Sequence, residues 1–224
     1  MPHRDALAVP FWSPPEVEAA LRDTLAHLEQ GKVLAYPTET VYGFGTAIDA
    51  DSVDALVRLK SRPPGKPFLL LVAGSDMIER MGLHLTTSAA RIAARHWPGP
   101  VTLVLPGGEG QLPPRLRGPE GGVAVRWTPH PGLQRLIRAW GAPITSTSAN
   151  RPGVPPAEAA TTVVEQWRDA IMRGALRVLD GGRLVTSAPS TVLDCMGRHP
   201  RVIRPGAVSA AALRASAPDL IGDA

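Results

Sequence analysis

The chain reads Ala35-Tyr36-Pro37-Thr38-Glu39-Thr40-Val41-Tyr42-Gly43-Phe44-Gly45 directly after the apolar residues Val33 and Leu34. An apolar strand therefore runs into hydroxyls, a carboxylate and two glycines. Fifteen residues beyond Gly45 the chain places three cations among prolines, in Lys60-Ser61-Arg62-Pro63 and Lys66-Pro67. Hydroxyls and free backbone N–H groups at a strand end, facing Lys and Arg, suit a polyanionic ligand such as a nucleotide triphosphate.

Helices and strands are predicted on both sides of this stretch. Ser13-Pro14-Pro15-Glu16 is a helix start, with a serine cap, proline in the first turn and a glutamate three residues after the cap, and Gly31 ends that helix. Apolar patterning predicts further helices over 52–60, 87–97, 129–140 and 157–171, a short one after Ser209, and strands over 32–36, 68–72, 101–105, 123–127, 143–148, 176–179, 191–193 and 202–204. Because several strand pairs lack a helix between them, the pattern favours an α/β fold with a twisted mixed sheet over a doubly wound sheet.

The composition is that of a globular chain. Of 224 residues, 44% are hydrophobic and 20% are charged, and no internal repeat or linker divides them, which predicts one domain. The 22 glycines and 24 prolines are spread without a period, so they indicate many tight loops. A net charge of +4 favours anionic ligands such as ATP or RNA, although an Arg-rich composition by itself also makes a chain basic.

Several classes of site and location are excluded by what the sequence lacks. It has no apolar run long enough for a membrane span, no apolar core of a signal peptide at its N-terminus, and one cysteine, so we expect a cytoplasmic protein without a disulfide framework. Its six histidines have no metal-ligand spacing, and a protein metal site is not expected. Phosphate-loop, dinucleotide-binding, hydrolase-elbow and zinc-protease motifs are all missing.

Each candidate group also has a purely structural interpretation. Lys60 and Arg62 converge on one ligand only if their helix ends there, as Pro63 indicates, and otherwise they are solvated charges at a helix terminus. The segment from Ser146 to Gly153 can bind an adenine edge, a ribose or a phosphate, or can be a capped turn. Arg126 and Arg204 each end an apolar strand, and with Lys60 and Arg62 they form one cationic cup if those strands are neighbours.

The order of the motifs is more informative than any one of them. Along the chain come Pro37-Thr38-Glu39-Thr40-Val41-Tyr42-Gly43, Lys60-x-Arg62-Pro63, Lys66-Pro67, Trp97-Pro98-Gly99-Pro100-x-Thr102, Val123-Ala124-Val125-Arg126, Ser148-Ala149-Asn150, Ser190-Thr191-Val192-x-Asp194 and Arg204-Pro205-Gly206. This series resembles the YrdC-type threonylcarbamoyladenylate synthases in their short, single-domain form. The resemblance covers roughly residues 15–208, which leaves 1–14 and 209–224 as terminal extensions.

The resemblance implies a fold and a reaction. The fold is a twisted α/β sheet with a positively charged concave surface that holds ATP and L-threonine. The reaction joins L-threonine, bicarbonate and ATP to give threonylcarbamoyl-AMP and pyrophosphate, with Mg²⁺ carried mainly by the ATP phosphates. The product would pass to a separate transferase that modifies a tRNA adenosine. No protein nucleophile is needed, since positioning and charge stabilisation suffice.

The resemblance also implies roles for ten residues. Thr38, Arg126, Ser146 and Ser190 would bind threonine, whereas Lys60, Arg62, Lys66, Ser148, Asn150 and Arg204 would bind the nucleotide. Lys60 and Arg62, on the triphosphate, would be the catalytic pair. Three positions depart from the family pattern, and each departure removes a polar contact. Leu71 stands where some relatives have His, Gly122 stands where many have Thr, and Pro156 stands where many have Ser.

Two other functions remain open from the sequence. A basic concave surface also suits double-stranded RNA or tRNA, bound in a salt-dependent and mostly shape-specific way. The chain can equally be a divergent paralogue of the same fold without synthase activity, such as the carbamoyl-transfer domain of hydrogenase maturation proteins. That domain normally lies in a longer chain with Cys-rich zinc motifs, which are absent from this sequence.

Overall fold

Ten strands form one mixed sheet in the computed structural model, which describes residues 7–63, 65–185 and 187–222. The strands are β1 (Ala8–Pro10), β2 (Val33–Tyr36), β3 (Gly43–Gly45), β4 (Leu69–Val72), β5 (Val101–Leu105), β6 (Val123–Trp127), β7 (Ile144–Ser148), β8 (Leu176–Asp180), β9 (Thr191–Asp194) and β10 (Arg201–Arg204). Their spatial order is β1-β8-β2-β3-β7-β4-β6-β5-β9-β10.

Parallel and antiparallel pairs alternate irregularly across this sheet. The pairs β1–β8, β2–β8, β4–β6 and β5–β9 are parallel, and β2–β3, β3–β7, β4–β7, β5–β6 and β9–β10 are antiparallel. The predicted α/β fold with a mixed sheet is therefore confirmed. In this arrangement β7, β4, β6, β5 and β9 are neighbours, although their residues are up to about 120 positions apart in the chain.

The helices begin where local capping chemistry allows. They are α1 (Pro14–Glu29), α2 (Ala50–Lys60), α3 (Ser75–Arg80), α4 (Thr87–His96), α5 (Pro131–Trp140), α6 (Ala160–Met172) and α7 (Ala210–Arg214), with a 3-10 turn at Pro114–Leu116. At the start of α1 the Glu16 carboxylate accepts a hydrogen bond from the Ser13 N–H at 2.8 Å, as the motif predicts. Helix α2 begins two residues earlier than predicted, because the Asp49 side chain caps it through the Ser52 N–H at 2.9 Å.

Four elements were not predicted: β1, β3, α3 and the 3-10 turn. Strand β3 is Gly-Phe-Gly, a composition with little strand propensity, and it forms because β2 and β7 flank it on both sides. Any side chain at Gly45 would place its Cβ 2.0 Å from the Thr145 carbonyl oxygen, so only glycine fits there. Strand β1 pairs with β8, so residues 8–10 belong to the sheet although they lie in the predicted extension 1–14.

The core lies on both sides of the central strands. All four residues of β2 are buried, as are Leu70, Leu71 and Val72 of β4, in agreement with the prediction that β4 is covered on both faces. The Phe44 ring packs edge-on against Trp167 of α6, with ring centroids 5.1 Å apart. None of the helices in the described ranges is long and apolar enough to cross a membrane.

Candidate active site in the sheet cleft

The sheet forms the wall of a large cleft over its middle and one end. The cleft has a volume of about 1030 Å³ and is lined by residues from β3, β7, β4, β6, β5, β9 and β10. Side chains alternate between the two faces of a strand, so residues two apart, such as Ala124 and Arg126 of β6, lie on the same wall. The loop that follows β2 and the segment between β8 and β9 form part of the rim, through Thr38, Thr40 and Ser187.

Seven of the ten residues predicted for the site line this cleft. They are Thr38, Arg62, Arg126, Ser146, Ser148, Ser190 and Arg204. The four residues predicted to contact threonine are all among them. Lys60, Lys66 and Asn150 lie outside the lining. The structure therefore brings together residues from three strands and three loops that are far apart in the sequence.

Two guanidinium groups and two hydroxyls converge at the centre of the cleft. Arg126 is only 4% exposed, and its two terminal nitrogens hydrogen-bond to no residue in the described parts of the chain. Arg204 donates to the Ser190 carbonyl oxygen at 2.7 Å, and the Ser190 hydroxyl lies 2.8 Å from that of Thr102. Burial, together with the positive charge of Arg126, lowers the pKa of Arg204. The strands of these two arginines, β6 and β10, are not neighbours, because β5 and β9 lie between them, yet both arginines line the cleft.

The hydroxyl of Thr38 also shapes the rim. Its Oγ1 donates to the Val41 carbonyl oxygen at 2.7 Å and accepts from the backbone N–H groups of Thr40 and Val41 at 3.1 and 3.2 Å. Such bonds are typical of side-chain-stabilised turns. Thr38 therefore holds the loop after β2 in place, and its predicted contact with threonine stays a prediction.

Arg62 is held at the cleft mouth by neutral groups. It donates to the Thr147 hydroxyl at 3.0 Å, to the Lys66 carbonyl oxygen at 2.9 Å and to the Pro67 carbonyl oxygen at 2.8 Å. Its guanidinium also lies over the Phe68 ring, 4.6 Å from the centroid. No carboxylate of the described residues pairs with it, so its positive charge is available to an anionic ligand.

Lys60 donates to three oxygens of the loop after β7. Its ammonium donates to the carbonyl oxygens of Ser148 and Asn150 at 2.6 and 2.5 Å and also to the Asn150 side chain. The Asn150 amide in turn donates to the Val154 carbonyl oxygen at 2.5 Å. Burial, and secondly the charge of Arg62, lower the pKa of Lys60 to about 8, which leaves it charged at neutral pH. Lys60 thus anchors the loop after β7 in this structure, and a contact with ATP phosphates stays a prediction.

We expect Lys60→Met to destabilise the protein by about 1–3 kcal/mol, because it removes a charged donor from three oxygens of the 148–150 loop and leaves the Asn150 carbonyl oxygen without its donor. Urea unfolding would measure the change. Lys66→Met is the matched control, since Lys66 is exposed and the same substitution there should change stability by less than about 0.5 kcal/mol. Equal unfolding midpoints for the two variants would contradict the anchoring role.

Lys66 lies in a second, smaller depression beside the cleft mouth. This depression of about 370 Å³ shares Arg62, Pro67, Gly118 and Pro119 with the cleft and is also lined by Arg115 and Arg117. Arg115 forms an ion pair with Asp54 at 2.6 Å. Lys66 is thus next to the cleft rather than in it, and its role toward the nucleotide stays a prediction.

The three positions that depart from the family pattern have different surroundings. Leu71 is fully buried and does not line the cleft. The residue of β4 that lines the cleft is Leu69. Pro156 and Gly122 do line the cleft. A Cβ at Gly122 would lie 2.2 Å from the Met196 sulfur and 2.5 Å from Val104 Cγ1. Met196 therefore occupies the space that a threonine side chain at position 122 would need.

Gly122→Thr is accordingly expected to destabilise the protein by about 1–3 kcal/mol through overpacking against Met196 and Val104. Thermal unfolding would measure this. Gly197→Thr is the control, because a Cβ at Gly197 meets no atom within 4 Å. The double variant Gly122→Thr/Met196→Ala should recover most of the loss, and a failure to do so would mean that Met196 is not the obstacle.

Sequence reasoning assigned no role to a carboxylate that lies beside the cleft and faces Arg126. Glu39 stands in the quoted motif but received no role, and its Oε1 lies 3.5 Å from Arg126 Nε. Thr102 and Thr147 also line the cleft without having been assigned. Thr102 lies in β5, which pairs with β6, the strand of Arg126, and with β9, the strand that follows Ser190. In the described ranges, no group of three or more His, Cys, Asp or Glu side chains is placed to hold a metal ion.

Comparisons with known proteins agree with this geometry. The model of the Sua5/YciO/YrdC family, described as telomere recombination, matches residues 26–206. A threonylcarbamoyl-AMP synthase of Chromohalobacter salexigens is 37% identical over 180 residues, which are 80% of this chain and 94% of that protein. One of Pyrococcus abyssi is 35% identical over 190 residues, which are 84% of this chain and 54% of that protein.

A solved structure extends the likeness to three dimensions. The structure of Pyrococcus abyssi Sua5 complexed with L-threonine aligns with a TM-score of 0.85 and 29% identity, over 96% of this chain and 62% of that one. This chain thus spans nearly all of the Chromohalobacter relative but only about half of the Pyrococcus relative. With a family match over most of its length and relatives above one-third identity, the chain belongs to the Sua5/YciO/YrdC family.

Proposed function

We propose that this chain is a threonylcarbamoyl-AMP synthase. It converts L-threonine, bicarbonate and ATP to threonylcarbamoyl-AMP, pyrophosphate and water. The observation that carries the proposal is the convergence of Arg126, Ser146 and Ser190 with Arg62 and Arg204 in one cleft. The names of the relatives, and the solved relative that was complexed with L-threonine, support the same substrate and product.

The cleft provides the binding groups that this reaction requires. The terminal nitrogens of Arg126 are free to take the threonine carboxylate in a two-bond geometry. The threonine amine loses a proton and forms an N–C bond to CO₂ derived from bicarbonate, which gives a carbamate. A carbamate oxygen then forms a bond to the α-phosphorus while the bond to the pyrophosphate oxygen breaks. Arg62 and Arg204 are the cations that stabilise the phosphate charge.

Mg²⁺ enters this proposal as part of the substrate. A magnesium ion bound to ATP keeps several waters and needs few protein ligands. The cleft is lined by four arginines and three carboxylates, and the arginines suit the phosphates that would carry the ion. No step is assigned to the ion itself.

The biological context is proposed on the same grounds. The adenylate is a mixed anhydride, so a second enzyme must consume it, and we propose a transferase that acts on a tRNA adenosine. A cytoplasmic location follows from that role. Direct binding of tRNA or double-stranded RNA by this chain remains the alternative outcome of the experiment below.

The test is pyrophosphate release from ATP and Mg²⁺, with and without L-threonine and bicarbonate, combined with chromatography of the products. We expect release only when both co-substrates are present, together with threonylcarbamoyl-AMP. If no combination gives release, the synthase proposal is wrong. Salt-sensitive binding of RNA in that case would identify a binding module, and its absence would identify a divergent paralogue.

A further inference from the structure

Glu39 is fixed beside the cleft by the strand that carries Arg126. Its Oε2 accepts a hydrogen bond from the Thr128 hydroxyl at 3.1 Å, and Thr128, two residues beyond Arg126, is fully buried. The Thr128 hydroxyl in turn accepts from the His130 N–H at 3.2 Å. The Glu39 side chain is therefore oriented by a buried partner and is not a freely rotating surface carboxylate.

The other oxygen of Glu39 faces the guanidinium of Arg126. Oε1 lies 3.5 Å from Arg126 Nε, and both atoms are buried without a hydrogen bond to any described residue. The two side chains are 17% and 5% exposed. Glu39 is the carboxylate within 4 Å of Arg126 in the described part of the chain. A buried charge is costly unless an opposite charge offsets it, so each group stabilises the other in its place.

Glu39 contacts the Nε side of the Arg126 guanidinium and not its terminal nitrogens. Glu39 faces Nε, so the two terminal nitrogens of Arg126 are left without a protein partner in a residue that lines the cleft. Those two nitrogens form the edge of the guanidinium that can donate two parallel hydrogen bonds to one carboxylate. Because Oε1 is itself buried, it cannot reach a ligand in the cleft and acts only through Arg126.

We infer that Glu39 is a positioning residue that turns the Arg126 guanidinium so that its free edge receives the carboxylate of the amino-acid substrate. This inference rests on the proposed function, because it takes that substrate to be an amino acid. The Glu39 carboxylate also has an electrostatic effect. Arg126 and Arg204 lie close enough for their charges to interact, and Glu39 offsets part of that repulsion before the substrate arrives.

The test compares two ligands that differ only at the carboxylate. Isothermal titration calorimetry would measure binding of L-threonine and of L-threoninamide to the wild type and to Glu39→Gln. We expect Glu39→Gln to weaken threonine binding by about tenfold, the lower end of the effect of partners that orient a ligating side chain. Binding of the amide should change by less than about twofold, because the amide does not use the oriented edge of Arg126.

Two further variants keep the test decisive. Thr128→Val removes the anchor of Glu39 but keeps its charge, so it should shift threonine binding in the same direction by a smaller factor. Glu29→Gln is the control, since Glu29 is exposed on α1 and does not line the cleft, and it should change the binding of neither ligand. Circular dichroism would confirm that each variant is folded.

The outcomes separate this inference from the proposed function. Equal losses for threonine and threoninamide would mean a general structural effect, and unchanged threonine binding would mean no role, so either result overturns the positioning role. A wild-type protein that binds no threonine overturns the proposed function and with it the inference. Binding with the expected ratios but no adenylate formation supports the positioning role and contradicts only the proposed reaction.

Discussion

Arg126→Ala is expected to raise the threonine KM by about 30-fold or more while the ATP KM stays within a few-fold. Removing one partner of a buried, hydrogen-bonded charge pair typically weakens binding by about 2–5 kcal/mol, and each 1.4 kcal/mol is tenfold. Arg126 is 4% exposed, and its two terminal nitrogens hydrogen-bond to no residue in the described ranges. Initial rates of pyrophosphate release, with each substrate varied in turn, would measure the change.

The same substitution has a cost in stability that must be separated from its effect on binding. It leaves the Glu39 carboxylate buried without an opposite charge, which destabilises a protein by about 3–5 kcal/mol. The double variant Arg126→Ala/Glu39→Gln removes both charges, so it should regain stability in urea unfolding but not threonine binding. If the double variant regained the wild-type threonine KM, the loss in Arg126→Ala would be structural and the assignment of Arg126 would be wrong.

Arg62→Ala is expected to lower kcat/KM for ATP by about 100- to 1,000-fold, the typical effect of removing one preorganised donor to a developing charge. The threonine KM should change little, because Arg62 lies at the cleft mouth against Thr147, Lys66 and Pro67. Its protein partners are carbonyl and hydroxyl oxygens, so no buried carboxylate is left unpaired. Pyrophosphate release at varied ATP, with threonine and bicarbonate saturating, would measure the effect.

Arg135→Ala is the matched control for Arg62→Ala. Arg135 is also an arginine in a short contact, 2.6 Å from Glu18, but both side chains are about half exposed and lie on helices away from the cleft. An exposed pair of this kind contributes at most about 1 kcal/mol to stability, so kcat/KM should stay within about twofold of the wild type. Equal activity losses in the two variants would show that Arg62 has no special relation to ATP.

Most of the fold could be predicted because its elements carry their own local signals. The helix at Ser13-Pro14-Pro15-Glu16 and the apolar strand at Leu69–Val72 are specified by capping groups and by unbroken hydrophobic runs. Strand β3 had no such signal, because Gly43-Phe44-Gly45 forms a strand only between β2 and β7. Strand β3 was thus missed because one of its two partners, β7, lies about 100 positions further along the chain.

The sequence predicted which residue types form the site, but it did not predict all of the contacts that these residues make. The motif order pointed to Thr38, Arg62, Arg126 and Arg204, and the structure brings all four to one cleft. It also pointed to Lys60, whose ammonium is instead held by the loop after β7. A lysine at the last position of a helix has the same sequence pattern in both roles, because the three acceptors come from about 90 residues further along the chain.

By itself the sequence determined the α/β class, the elements with strong local patterns, the family resemblance and the identity of the cationic and hydroxyl groups. These follow from short-range periodicity, capping and motif order, which are properties of neighbouring residues. Only the tertiary structure decided that β7, β4, β6, β5 and β9 lie side by side, that Glu39 faces Nε of Arg126, and that Met196 fills the space beside Gly122. Glu39 and Arg126 are 87 positions apart and Gly122 and Met196 are 74 positions apart, and the strand order depends on the whole sheet, so no local pattern encodes these contacts.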